Sequence, residues 1–194
     1  MRRALTDARP ALAAGIATLT LSACGGSSTA VAPITPTPSG DPRVADALSA
    51  GPPSITSDAT VEDYPTKPGD PYPVLRKGSG SWTCFPTGTA PGDGPACYDR
   101  NAMRWLDAFY AGTVPHLPAP GIIYRMRGGS DPSLTDPFAT APPTGGQYYK
   151  SPPYIIVIPA GDPRTLKAGV VEPGSREIVM WAGTPYAHLH VPLP

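Results

Sequence analysis

Asp99-Arg-Asn-Ala-Met-Arg-Trp-Leu-Asp-Ala-Phe-Tyr-Ala-Gly112 is the one stretch of this sequence with a complete helical signature. Asp99 carries a short carboxylate suited to accept hydrogen bonds from the free amides of a first helical turn. Ala102, Met103, Leu106, Phe109 and Tyr110 then recur at helical spacing on one face. Gly112 stands where a helix ends in left-handed backbone. A helix over Arg100–Ala111 is therefore expected, with Trp105 taking part in its packing.

Strand signals surround that helix. In Gly121-Ile-Ile-Tyr-Arg-Met-Arg127, alternation sets Ile122, Tyr124 and Met126 on one side and Ile123, Arg125 and Arg127 on the other. Tyr154-Ile-Ile-Val-Ile158 is a continuous apolar run and reads as a central strand. Glu177–Trp181 and Ala187–Val191 are two more, with shorter extended pieces at Pro73–Arg76 and Trp82–Phe85 expected at an edge. Proline accounts for 29 of the 194 residues, which works against long helices and wide central strands. The expected fold is α+β: one main helix on a small, mostly antiparallel sheet, rich in loops.

The N-terminus reads as an export signal. Met1–Arg9 is basic, Ala11–Leu21 is apolar, and Leu21-Ser22-Ala23-Cys24 follows. The apolar core is much shorter than the ~18 residues a membrane span requires. Leu-Ser-Ala-Cys resembles the lipobox of bacterial lipoproteins, which implies that residues 1–23 are a signal peptide and that Cys24 is lipidated. Residues 24–55 are rich in Pro, Ser, Gly and Ala, lack aromatic residues, and read as a flexible tether, with one transient turn at Val44–Leu48. Residues 56–194 form the expected globular domain. The expected location is a lipid anchor in the bacterial cell membrane or outer membrane, with the domain in the periplasm or at the cell surface.

Cys84 and Cys97 remain as an even pair in an exported chain, with twelve residues between them, no Cys-x-x-Cys spacing and no intervening histidine. A disulfide is the expected pairing, worth about 3 kcal/mol for a loop of that length. Fifteen basic and fifteen acidic residues cancel, so nothing in the charge balance points to a nucleic-acid partner.

Several groups could carry chemistry. His188 and His190 lie two apart on an expected strand, so both imidazoles project from one face. Two such imidazoles are half of a transition-metal site, for which His116, Asp131, Asp136 or Glu177 would have to complete the shell. The plainer reading of the pair is a solvated strand face. Gly128–Pro137 groups Ser130, Asp131, Ser133, Thr135 and Asp136, either as hard oxygen ligands for calcium or as ordinary turn chemistry. Ser130 lacks the flanking pattern of a nucleophile elbow. Arg125 and Arg127 on one strand face could grip an anion, or form the wet side of an edge strand. The loop 128–147 is long for a compact domain, as functional loops often are.

Taken together, Leu75-Arg-Lys-Gly-Ser79, Trp82-Thr-Cys-Phe-Pro86, Pro95-Ala-Cys97 with Asp99, Gly128-Gly-Ser-Asp131 with Thr135-Asp-Pro137, and Met180-Trp-Ala-Gly-Thr-Pro-Tyr-Ala-His-Leu189 resemble an uncharacterised family of exported bacterial proteins. The resemblance spans about residues 60–194 and implies an exported domain, with no activity or cofactor attached. Where relatives carry Gly-Pro-His before the apolar strand, this chain has Pro152-Pro153-Tyr154, and where they often carry methionine it has His190. A family-wide metal site would then centre on His188 and be incomplete here.

Two functional readings follow. The first is a non-enzymatic envelope lipoprotein that binds a small ligand, glycan or protein, with Arg125, Arg127, Ser130, Asp131 and Asp136 as candidate contacts. The alternative is a metal-binding protein or metal-assisted hydrolase using His188 and His190.

Overall fold

A computed structural model describes residues 40–67, 69–167, 169–170 and 177–194. The expected signal peptide and Cys24 lie outside the described residues. The helix expected from the sequence forms over Arg100–Ala111: the Asp99 carboxylate accepts from the Ala102 amide at 2.7 Å, and Gly112 ends it with φ 65°.

Among the described residues two shorter helices precede it, α1 (Pro42–Leu48) and α2 (Pro53–Thr56), so the main helix is α3. The strands are β1 (Thr60–Glu62), β2 (Val74–Arg76), β3 (Thr83–Phe85), β4 (Ala96–Tyr98), β5 (Gly121–Arg125), β6 (Gly129–Asp131), β7 (Tyr149–Ser151), β8 (Tyr154–Ile158), β9 (Gly169–Val170), β10 (Ile178–Met180) and β11 (His188–Pro192). Nine of them form one sheet in the order β2-β1-β3-β4-β5-β8-β11-β10-β9, while β6 and β7 pair separately as an antiparallel ribbon. The β1–β3 pairing is parallel and the other pairings in the main sheet are antiparallel. The α+β expectation holds, with the sheet wider than expected and its strands short. Proline explains the shortness: Pro73, Pro86, Pro95, Pro120 and Pro153 each stand immediately beside a strand end, where a missing amide costs no ladder bond.

Residues alternate between two sheet faces, each with its own core. On one face Cys84 and Cys97, directly opposite each other on β3 and β4, form the expected disulfide. Val61 and Ala59 join them, and α1 covers them with Val44 and Ala47. On the other face Phe85, Tyr98, Ile123, Tyr154, Ile156 and Ile158 pack against Ala102, Trp105 and Leu106 of α3.

Three expectations need correction. The packed region begins before residue 56: Val44, Ala47 and Ala50 are buried, and the Asp46 carboxylate accepts from the Thr87 amide at 2.6 Å. Composition concealed this because α1 needs only one small apolar stripe, Val44 and Ala47, to fill the groove over the disulfide. The strand at 121–127 stops at Arg125, where a turn at Met126–Arg127 follows, so Arg127 is exposed and shares no strand face with Arg125. Trp82–Phe85 does not lie at an edge, since β3 sits between β1 and β4, whereas β2 is the edge strand expected at Pro73–Arg76.

Candidate functional site

Sheet register builds a polar patch under α3. In β5, Ile123 and Arg125 are two apart and share the α3 face. Across the ladder Ile156 lies opposite Ile123, and Tyr154 lies opposite Arg125. One strand further, His190 lies opposite Ile156 on β11, with His188 two residues before it on the same face. The result is a row of buried polar side chains in what would otherwise be an aliphatic floor. His188 is 2% exposed and His190 3%, which overturns the expectation of a solvated strand face.

A cavity of about 640 Å³ opens over this floor. Its sheet side carries Arg125, Tyr154, His188 and His190. Trp105, Leu106, Phe109 and Tyr110 line it from α3, and Trp181 closes one end. The remaining wall comes from Asp63–Thr66 and from Thr87–Ala90 with Asp93, the latter within the loop that the Cys84–Cys97 disulfide closes. Asp131 enters from β6.

The charged centre is Arg125. Its guanidinium donates to Asp93 Oδ1 at 2.7 Å and to the Gly94 carbonyl at 3.1 Å, and its side chain is only 13% exposed. The guanidinium carbon lies 5.9 Å from the centroid of the Tyr154 ring. Gly129 packs directly against it, where a Cβ would sit 2.8 Å from Nη2. Burial raises the Asp131 carboxyl above its ordinary range; Arg125 opposes that rise and Asp93 adds to it. Burial also pushes the Tyr154 phenol up to about 12, so it is neutral at physiological pH.

The histidines form a hydrogen-bonded chain. His188 Nδ1 lies 2.9 Å from the Tyr186 carbonyl, which can only accept, so that nitrogen carries the proton. In the neutral ring His188 Nε2 is then an acceptor, and His190 Nε2, 3.0 Å away, donates to it. His190 Nδ1 is left as an acceptor facing the Ser151 hydroxyl at 3.5 Å. Both rings are held neutral: burial lowers each pKa, with Arg125 adding to both and His188 also acting on His190. Trp181 packs edge-on against His188 at 4.8 Å and stacks on Trp105 and Phe109 at 6.0 and 5.7 Å. Trp181 also has φ 54°, left-handed backbone that a bulky residue rarely adopts. Two bonds anchor it there: its amide donates to the Leu134 carbonyl at 2.7 Å and its indole to the Ser133 carbonyl at 3.0 Å.

Among the described residues, four buried side-chain polar atoms make no well-formed hydrogen bond within the protein: Trp105 Nε1, Arg125 Nε, Asp131 Oδ2 and Tyr154 OH, although the Arg125 guanidinium lies close enough to the Tyr154 phenol to oppose the rise that burial causes in its pKa. All four belong to residues lining this one cavity. Buried polar groups are nearly always paired, so four orphans at a single place call for a local cause.

The structure therefore brings together Arg125, Asp131, His188 and His190 from the candidates named above, and leaves Ser130, Asp136 and Arg127 outside the cavity. Ser130 donates to the Pro91 carbonyl at 3.0 Å. Asp136 is exposed and caps its own turn, accepting from the Phe138 amide at 2.9 Å, so the two aspartates of that loop do not converge as calcium ligands would. Arg127 is exposed in its turn. Nor do the described residues contain a group of three or more His, Cys, Asp and Glu placed to hold a metal ion. His116, one proposed third ligand, lines a separate hollow with Arg104 and Arg164.

Asp93 was not among the sequence candidates. Asp93 had a readable signal, an acid flanked by glycines inside a disulfide-closed loop. Tyr64, Tyr98, Tyr154 and Trp181 could be read from the sequence either as a sugar-stacking platform or as core, because a cavity wall and a core position carry the same composition. Compared with known protein families, curated proteins and solved structures, the chain matches none of them.

Proposed function

We propose that this chain is an exported, lipid-anchored envelope protein whose domain binds a small organic ligand in the cavity between α3 and the sheet, without catalysing a reaction on it. The observation that carries this reading is the gathering of all four unpartnered buried polar atoms among residues of one aromatic-walled cavity. Binding pockets combine apolar walls with a few convergent polar groups in this way, and their volumes run from about 300 to 1,000 Å³. The left-handed Trp181 agrees with it, since strained backbone is kept where a site needs a side chain aimed.

The test is a ligand-observed magnetic-resonance screen of small organic fragments against the full chain and an Ala90→Trp variant. Ala90 is exposed on a loop that lines the cavity, so tryptophan there fills the mouth without disturbing a core. Hits lost in Ala90→Trp at an unchanged melting temperature support the reading; hits retained at full strength remove it. The anchor has its own check, the mass of the mature N-terminus: a diacylglycerol adduct on Cys24 that disappears in Cys24→Ala is the expected result.

A second reading rests on a separate observation, the two Nε2 atoms of His188 and His190 converging to 3.0 Å. His188 Nδ1 is held by a backbone carbonyl, as the outer nitrogen of a metal-bound histidine usually is. A transition metal would replace the proton they share and draw further ligands from the occupant. Native mass spectrometry with added copper or zinc decides this: a stoichiometric adduct lost in His188→Ala supports a metal-binding protein or metal-assisted hydrolase.

A further inference from the structure

We propose that the cavity's ligand is a neutral, polyhydroxylated molecule of the sugar class; this rests on the binding reading above and narrows it. The four unpartnered atoms restrict what can occupy the cavity. Trp105 Nε1 and Arg125 Nε are donors only, Asp131 Oδ2 accepts when ionised, and Tyr154 OH does both. A ligand that satisfies them must accept at two points and donate at one within a single cavity. Hydroxyl groups do both from one atom, so a polyol meets the set without a fixed orientation for each contact.

Charge excludes the main competitors. The Arg125 guanidinium is already held by Asp93 at 2.7 Å, and Asp131 is a second carboxylate on the same wall. The histidines beside them are neutral. An anionic ligand would therefore meet two carboxylates for one guanidinium. A cationic ligand would suit Asp131 and the aromatic walls, yet it would leave the Trp105 and Arg125 donors without acceptors. A purely apolar ligand would leave all four atoms buried and unpaired.

The walls complete the match. Trp181 and Phe109 are only partly buried and Tyr110 is exposed, so all three present ring surface around the polar floor. Sugar rings offer an apolar C–H face and a hydroxyl rim, and so call for flat apolar surface beside mixed donors and acceptors.

Isothermal titration of the full chain with three sets of probes tests this. The first set is neutral mono- and disaccharides, including glucose, galactose and N-acetylglucosamine. The second is choline and methylammonium, and the third is acetate and inorganic phosphate. Saturable binding of a neutral sugar is expected, weakened about tenfold or more in each of Asp131→Asn and Tyr154→Phe, as the loss of one good hydrogen bond to a buried group implies. Both changes are nearly isosteric, and a retained melting temperature shows that the fold is intact. Sugar binding unchanged in both variants overturns the proposal. Saturable binding of only the cationic or anionic probes overturns the polyol class and leaves the binding reading standing. Silence from all three sets, together with a fragment screen that finds no hit sensitive to Ala90→Trp, removes both.

Discussion

The two faces of the central sheet are built to opposite specifications. Under α1 the face is small and dry: Val44, Ala47, Ala50, Ala59, Val61 and the disulfide fill it, and among the described residues no buried polar side-chain atom there lacks a partner. On the α3 face, the neighbouring strands β5, β8 and β11 present Arg125, Tyr154, His188 and His190 to a cavity. A charged arginine and two neutral histidines cost desolvation that aliphatic residues would not. Burial for stability alone would have produced two faces like the first. The proposed binding role therefore falls to the α3 face, and a scaffold role to the disulfide face.

Acid provides the largest test of that contrast. Both histidines are neutral in the folded protein because burial lowers their pKa values, whereas in the unfolded chain they titrate near 6.5. Between that pH and the lowered folded values the unfolded state binds more protons. Stability is therefore full above about pH 6.5 and falls as the pH drops below it, by about 1.4 kcal/mol per pH unit for each histidine. Asp131, with its raised pKa, contributes with the opposite sign in the carboxylate range. Urea midpoints measured from pH 7 to 5 should fall steeply in the wild type and much less in His188→Gln/His190→Gln. Parallel profiles would mean that the buried pair is not the titrating element.

Replacing Cys84 and Cys97 by alanine joins the two faces in one experiment. Their side chains lie in the α1 core, while the loop they close supplies Asp93 and Thr87–Ala90 to the cavity wall. A loss of about 3 kcal/mol in denaturant unfolding is expected. Any bound fragment should weaken as well; stability lost with binding retained would show that the wall is held by other contacts.

Gly129→Ala acts on the cavity face alone. The added Cβ would meet Arg125 Nη2 at 2.8 Å and Cζ at 3.0 Å, so the guanidinium that Asp93 holds must shift. About 2 kcal/mol of destabilisation is expected from such overpacking, read as a lower melting temperature. No loss would mean that the guanidinium has room to move.

Tyr154→Phe is the smallest effect and has the opposite sign. Removing a buried hydroxyl without a partner should leave the unliganded protein unchanged or up to about 1 kcal/mol more stable. A clear loss of stability would show that the hydroxyl has a partner within the fold and would reduce the set of four to three.

Some of this was legible in the residues. The helix at Arg100–Ala111 could be read from Asp99, its apolar stripe and Gly112, because capping and periodicity are local. The strands at 121–125 and 154–158 could be read because alternation and apolar runs are local too. The disulfide followed from counting cysteines. β1 and β4 were missed and α1 was read only as a transient turn at Val44–Leu48, since three-residue strands and a seven-residue helix bury too few side chains to leave a periodic mark. The shared face of His188 and His190 was also readable, but whether that face met solvent or α3 was not.

Local chemistry thus settled the main helix, the longest strands, the cysteine pair and the mutual orientation of the two histidines, because each depends on residues close in the chain or on simple parity. Register across β5, β8 and β11 placed Tyr154 opposite Arg125 and His190 opposite Ile156, and the disulfide-closed loop carried Asp93 to Arg125 across 32 residues of sequence. Those meetings depend on hydrogen-bond ladders and packing between segments far apart in the chain. Whether a polar side chain ends in water or beneath a helix is therefore decided only when the sheet has formed and α3 lies across it.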